Sequence, residues 1–452
     1  MAYEREWGRV PKTKQEALPI ETNDPCGGTD WKRHPAWTEA MRAALNRRRT
    51  EGGKWFSLID RMYDPRQLWA AWERIDQRTK GDARHRGAGV DGVTVEEISK
   101  RAGHEIARLA EELKTGSYRP RPVRRHWINK PGTTRKRPLG LPCVRDKVVQ
   151  EALRSLIEPI FECEFKDGSH GFRPGRSTDT ACQRLEATLR TGKGWIVDAD
   201  ITGFFDNIDH EKLLDQVNRR IADGKVLKLI RAYLEAGVME EMNVRYATTG
   251  TPQGGIVSPL LANIFLHALD ERLEAAGIGW VRYADDFLLL CETRAEAEAA
   301  LGVARDALEA MGLSLSPEKT SIVHLDEGFD FAGWHYQGRQ RWPRGKSVTA
   351  LRRKLSEKTR RKRPGSMDQI CRQLTPILRG WFNYFRDGNS GKVFHEVIGW
   401  QRRRLRSILH RRHHGHGIGK ASLHLKWPNR CFARWGLFDL EAALTRYRVI
   451  HS

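Results

Sequence analysis

Trp280-Val281-Arg282-Tyr283-Ala284-Asp285-Asp286-Phe287-Leu288-Leu289-Leu290 places two apolar, β-prone runs on either side of a very short break. The pattern predicts a tight β-hairpin with Asp285 and Asp286 at its tip. Adjacent carboxylates repel each other, and a hairpin gains nothing from the pair unless a cation compensates it. Mg²⁺, which takes oxygen ligands, is the fitting candidate. A third carboxylate ends the strand-like run Trp195-Ile196-Val197-Asp198-Ala199-Asp200-Ile201. Carboxylates converging on divalent metal are what in-line phosphoryl transfer with two metals requires. The pattern points to a nucleic-acid polymerase. Asp198 and Asp200 face the same side of their strand, so spacing alone leaves either as the third ligand.

The bulk composition agrees. The 452 residues carry 79 Lys and Arg against 57 Asp and Glu, a formal charge of +22, which calls for a polyanionic partner. Nucleic acid is favoured over membrane, because no apolar run approaches the length needed to span a bilayer. The seven cysteines are scattered without a C-x-x-C pair, which suggests a reducing cytosol and argues against a zinc module. The polar start Met1-Ala2-Tyr3-Glu4-Arg5-Glu6 predicts no secretory signal, so a cytoplasmic location is expected.

Outward from the hairpin, helix and strand signals alternate. Ser258-Pro259 reads as a helix start, with Ser258 as cap, and Gly277 as its end. Thr293 with Glu296 opens another helix, closed by Gly312. Strand, helix, hairpin, helix, strand predicts an α+β arrangement with an antiparallel sheet. Upstream, Leu68, Trp69, Trp72 and Ile75 recur at helical spacing. Thr94 with Glu97 forms a capping box for a helix running towards Gly116. The Pro- and Arg-rich stretch from Tyr118 to Pro142 predicts extended strands or a β-hairpin with a basic face, and a helix follows from about Asp146 to Phe165. Residues 1–35, with Pro11, Pro19 and Pro25, read as a disordered tail. From Arg339 to Arg363 twelve basic residues face the single acid Glu357, marking the start of a basic helical region.

In order along the chain, Arg137-Pro138-Leu139-Gly140-Leu141-Pro142, Ser169 to Ser177 (SHGFRPGRS), Asp200 to His210 (DITGFFDNIDH), Gly250 to Pro259 (GTPQGGIVSP), the hairpin, Leu315 to Thr320 (LSPEKT) and Phe331-Ala332-Gly333-Trp334 form seven blocks. They resemble those of the reverse transcriptases encoded by group II introns, and Arg379 to Phe385 (RGWFNYF) resembles the core of the family's maturase or thumb domain. The resemblance implies a right-hand polymerase: N-terminal extension and fingers over 36–190, palm over 191–340, and helical thumb and maturase over 341–452. It implies RNA-directed DNA synthesis with binding of a group II intron RNA, assistance to its splicing and copying of RNA into DNA during intron mobility. The implied partners are that intron RNA, an RNA template with DNA primer, a DNA target and deoxynucleoside triphosphates. The zinc-dependent endonuclease often carried by the family is expected to be absent, since the chain has no cysteine cluster.

The match selects Asp200 over Asp198, so that Asp200, Asp285 and Asp286, with Ile201, form the implied site for two Mg²⁺ ions. Lys319 matches a lysine that protonates leaving pyrophosphate. Phe205 stands where a bulky ring excludes a 2′-hydroxyl, with the neighbouring Phe204 as the alternative. Gln253 and Gly254 are implied against the incoming nucleotide, and Lys130 and Arg137 over its triphosphate. Arg173 and Arg176 are expected on template or phosphate. Arg360, Arg361, Lys362 and Arg363 are expected on intron RNA, with Arg402, Arg403, Arg404 and Arg406 further on. Trp381 and Phe385, four residues apart on a helix, read as core rather than base-stacking. His410, His413, His414 and His416 read as a basic helix end rather than a metal site. Two other functions fit the same residues: an RNA-binding splicing factor with a vestigial polymerase, and a host-adopted relative acting in defence, repair or spacer acquisition.

Overall fold

The computed structural model describes residues 37, 39–79, 81, 87–129, 136–240, 243–245, 250–251, 254–413, 415 and 422–451. These fall into two compact units, the first ending at Ile322 but for Asn129, which belongs with the second, and the second running on from Val323.

The first unit opens with helices α1 (Glu39–Glu51), α2 (Ile59–Met62) and α3 (Pro65–Arg78). On α3, Leu68, Trp72 and Ile75 are buried, but Trp69 is 41% exposed and its indole donates to Glu73. The core stripe is therefore narrower than the apolar spacing suggested. The Thr94–Glu97 capping box forms, yet its helix, α4 (Val95–Ser99), is short. Arg101 leaves helical geometry at φ −136°, ψ 27°, and α5 (Ala102–Thr115) restarts the spiral and ends at left-handed Gly116.

Strands β1 (Val123–Asn129) and β2 (Lys136–Leu141) come next, then α6 (Val144–Glu162), α7 (Thr178–Leu189) and β3 (Trp195–Asp200). A 3₁₀ turn at Phe204–Asp206 leads into α8 (His210–Asn218) and α9 (Gly224–Glu235). β4 (Val238–Glu240) and β5 (Asn243–Arg245) complete a sheet of order β2-β1-β4-β5, in which β1 and β4 run parallel. This sheet is therefore mixed, whereas the hairpin strands β6 and β7 and strand β3 pair antiparallel.

The second sheet carries the hairpin. After α10 (Ser258–Ala275) come β6 (Gly279–Tyr283), β7 (Asp286–Cys291), α11 (Arg294–Ala310) and β8 (Ser321–His324), in the order β6-β7-β3-β8. Ser258 is the first helical residue of α10, and Val257 takes the cap position expected for Ser258. Ile196, Val197, Ala199 and Phe287 to Leu290 are all buried, with α11 packed on β3 and β7. The neighbouring strands bury both faces, and the hairpin tip emerges from a fixed base.

In the second unit, β9 (Phe329–Phe331), β10 (Trp334–Gln337) and β11 (Gln340–Pro343) form an antiparallel sheet. Helices α12 (Gly345–Lys358), α13 (Met367–Phe385), α14 (Gly391–Arg412), α15 (Leu423–Lys426), α16 (Asn429–Arg434) and α17 (Leu440–His451) follow. Buried Trp334 meets Phe385 at 4.8 Å between ring centroids, and Tyr384 donates to the Ala332 carbonyl at 2.6 Å. These contacts draw the small sheet into the helical unit, so the unit begins earlier than the charge change near residue 340. Phe385 is buried, and Trp381 packs on Phe385 and Phe394, the core placement expected of them.

Among the described residues no helix is long and apolar enough to cross a membrane. Cys143, Cys182, Cys291, Cys371 and Cys431 form no disulfide.

Candidate active site

Tyr283 pairs with Asp286, leaving Ala284 and Asp285 as a two-residue loop between β6 and β7. Ala284 adopts φ +61°, the left-handed value that such turns demand at their first central position. β7 lies against β3 in a register that sets Asp200 directly opposite Asp286, whereas Asp198 faces apolar Leu288. Directly opposed residues hold their Cβ atoms about 5 Å apart. Asp200 is thus the strand carboxylate beside the hairpin, and Asp198 lies two residues further from the tip.

The site's charge is unbalanced. Burial pushes the Asp285 carboxyl above its usual range, and the charge of Asp200 adds to this while Lys319 and Arg282 oppose it. The Lys319 ammonium reaches Asp200 Oδ2 at 2.6 Å. Among the described residues no three His, Cys, Asp or Glu side chains converge closely enough to hold a metal, and Lys319 supplies the positive charge at Asp200 instead. The donor set still suits a hard divalent cation: oxygen atoms only, in mutual repulsion, on rigid strands. Ile201 is buried and forms an antiparallel bridge with Leu315, flanked by Thr202 N–H to Ser314 O and Ser316 N–H to Asp200 O. Its side chain has no donor, and that bridge pattern does not use its carbonyl, which is the only group it has to offer a metal.

The nucleotide side is built around the 3₁₀ turn. Phe204 is the core residue of the aromatic pair, 2% exposed, and Phe205 is half-buried against it at 5.1 Å. The Phe205 carbonyl accepts from Thr251 N–H at 2.7 Å, and His210 Nε2 lies 2.7 Å from the Gly250 carbonyl. A Cβ on Gly254, at φ +113°, would come within 2.4 Å of the Gly140 carbonyl, so only glycine fits where the first and fourth sequence blocks meet. Gln150 Oε1 accepts from Ile256 N–H at 2.7 Å and steadies the same loop. Arg137 is exposed on β2. Lys130 and Gln253 lie outside the described residues.

Several cations expected on nucleic acid are engaged within the protein. Arg173 is 6% exposed; it grips Glu162 through Nε and Nη2 and donates through Nη1 to the Lys166 and Ser169 carbonyls. Its donors are thus taken up within the interior, whereas the sequence reading expected them on template or phosphate. Arg176 folds back on the Asp167 carboxylate and carbonyl but keeps part of its surface. Arg402 pairs with Asp439, Arg404 with Thr359 and Arg406 with the Trp427 carbonyl and Asn429, tying α14 to its neighbours. Arg360, Arg361 and Lys362 are exposed in the turn between α12 and α13, and Arg363, half-buried beside them, binds Gln373. His413 packs near Trp427, and His414 and His416 fall outside the described residues.

One constellation was missed in the sequence. Arg282, Asp270, Asn263 and Ser169 are all buried and joined by hydrogen bonds directly behind the hairpin tip. The available signal was Arg282 itself, a charge set in the apolar run of β6. Asn263 and Asp270 lie seven residues apart, on one face of α10.

Residues 128–336 match the model of the reverse transcriptase (RNA-dependent DNA polymerase) family, and residues 348–427 that of the group II intron maturase-specific domain. The group II intron-encoded protein LtrA of Lactococcus lactis is 44% identical over 41% of this chain, a stretch that spans only 31% of LtrA. Protein YkfC of Escherichia coli is 34% identical over 54% of this chain and 74% of its own length. An uncharacterized 91 kDa protein in the cob intron of Schizosaccharomyces pombe is 41% identical over 41% of this chain and 22% of its own. The order of these two domains and the similarity to YkfC establish that the chain belongs to the group II intron-encoded reverse transcriptases and maturases.

Proposed function

We propose that this chain is an RNA-directed DNA polymerase that binds a group II intron RNA, assists its splicing and copies RNA into DNA during intron mobility. The observation that carries the polymerase is the register of β3 and β7, which sets Asp200 opposite Asp286 with Asp285 in the adjoining turn. The maturase-specific match over 348–427 and the exposed basic turn within it support the intron role. Asp200, Asp285, Asp286 and the Ile201 carbonyl would hold two Mg²⁺ ions. When bound, these lower the pKa of the primer 3′-hydroxyl and neutralise charge on the triphosphate.

The chain's own residues supply the rest. Phe205 presents its ring to the sugar and excludes a 2′-hydroxyl. Gly254 lets main chain approach the nucleotide, with Gln253 beside it, and Arg137 and Lys130 meet the triphosphate as cations. Lys319 gives a proton to the departing pyrophosphate. An RNA template paired with a DNA primer, deoxynucleoside triphosphates and a DNA target are the substrates, met in the cytoplasm.

Purified protein tests this in two assays: extension of a DNA primer on an RNA template, and splicing of a group II intron precursor at low Mg²⁺. Both activities are expected. Extension without any intron affinity would favour the host-adopted polymerase, and splicing without extension the vestigial one.

A further inference from the structure

Arg282 is the penultimate residue of β6, two before Ala284 of the hairpin turn, and its side chain is wholly buried. All five guanidinium N–H groups are engaged. Nε and Nη2 bind the two oxygens of Asp270 at 2.8 and 2.5 Å, and Nη2 also reaches Ser169 Oγ at 2.8 Å. Nη1 donates to Asn263 Oδ1 at 3.1 Å and to the Ala284 carbonyl at 2.9 Å. That carbonyl belongs to the peptide joining Ala284 to Asp285. Ala284 sits at φ +61°, which its Cβ disfavours, so the turn needs outside contacts to hold it.

The same cluster grips the turn from beneath. Asn263 Nδ2 donates to the Gly171 carbonyl at 2.8 Å, and a Cβ on Gly171 would come within 2.2 Å of Ala284 N. The main chain around Gly171 is laced to β6 as well: Arg282 N–H donates to Gly168 O at 2.8 Å and His170 N–H to Arg282 O at 2.9 Å. A buried ion pair is a poor way to gain stability, because the desolvation it costs offsets much of its attraction. Its value here lies in geometry, since a planar fork with five donors fixes several acceptors at once.

We propose that Arg282, anchored by Asp270 of α10, is a positioning residue that clamps the Ala284–Asp285 peptide and so sets where the Asp285 carboxylate stands for its metal. This rests on the reading of Asp285 as a metal ligand. The clamp acts through Asp285 and touches neither nucleotide nor metal.

The test uses two variants of the full chain. Arg282→Met with Asp270→Leu removes both charges together, the change that leaves a buried pair's fold intact most often. Arg282→Lys keeps a cation for Asp270 but lacks the fork that reaches Ala284. Each folded variant is expected to lose roughly 100-fold in kcat for primer extension, the scale of a small misplacement. The Mg²⁺ concentration giving half-maximal rate should rise several-fold, with KM for the nucleotide changing much less. A merely structural role would lower the unfolding midpoint without moving the Mg²⁺ dependence. Either folded variant with wild-type kcat and Mg²⁺ dependence overturns the proposal. Asp285→Asn run in parallel separates the two readings: if it extends primers normally, the metal-ligand reading itself fails. If it is inactive while the Arg282 variants are normal, only the clamp fails.

Discussion

Lys319 Nζ lies 2.6 Å from Asp200 Oδ2, so the carboxylate that faces Asp286 across the sheet already has a cation upon it. The lysine's side chain is 64% exposed and can swing away when stronger positive charge arrives. An ammonium on Asp200 and a divalent ion on Asp200 compete for one negative charge. Lys319→Ala should therefore lower kcat by about 100-fold through loss of a proton donor, without raising the Mg²⁺ concentration for half-maximal rate. Mg²⁺ titration of primer extension checks this. A raised Mg²⁺ requirement would mean that the lysine helps assemble the site instead of competing within it.

Phe205 is the half-buried partner of a core aromatic, with its main chain latched to Thr251. Phe205→Val should raise ribonucleotide incorporation far more than it lowers deoxynucleotide use, because only the excluded hydroxyl gains room. Competition between one ribonucleotide and its deoxy counterpart in primer extension measures the ratio. An unchanged ratio would place the discrimination elsewhere.

The hairpin, the helix caps at Thr94 and Thr293 and the α+β alternation were legible because they are local. The turn between Tyr283 and Asp286 and the capping box at Thr94 need only neighbouring residues. What was illegible depends on partners far away in the chain. Nothing near Arg173 announces Glu162 and the carbonyls that consume its donors, and nothing near Arg402 announces Asp439. Spacing could not separate Asp198 from Asp200 either, since both share a face. The register that puts Asp286 beside Asp200 decides it. Trp69 shows the converse error, an apolar residue at nearly the right spacing that faces outward.

Arg360, Arg361 and Lys362 are exposed cations, with Arg363 beside them, whereas Arg402, Arg404 and Arg406 hold α14 in place. Neutralising residues 360–363 together should weaken intron RNA binding. It should also flatten the salt dependence by up to about one unit of slope for each phosphate no longer neutralised. Extension of a short preformed primer–template at saturation should suffer less. Neutralising 402, 404 and 406 should instead lower the unfolding midpoint. Filter binding across a salt series, with thermal unfolding alongside, distinguishes them. Equal loss of intron binding and extension in the 360–363 variant would make that turn a general duplex grip.

Burial holds the imidazole of His170 down to about 4 and that of His267 down to about 3, with nearby arginines and Lys166 adding to the effect. Both rings are neutral in the folded chain, while the unfolded chain protonates near 6.5. The unfolded state thus binds more protons below that value, and stability present above pH 6.5 is lost as pH falls towards 4. His267→Gln should lose less stability than the parent over that interval, as read by urea unfolding at pH 7 and about pH 5. Parallel losses in the two proteins would show that His267 does not contribute.

The most direct measurement is primer extension on an RNA template by Asp285→Asn, compared with the parent protein at matched Mg²⁺. Loss of one metal ligand should reduce the rate by several orders of magnitude, while intron RNA binding remains, because the basic turn at Arg360–Arg363 is untouched. A variant that still copies RNA at close to the parent rate would contradict the assignment of the hairpin carboxylates as the catalytic centre.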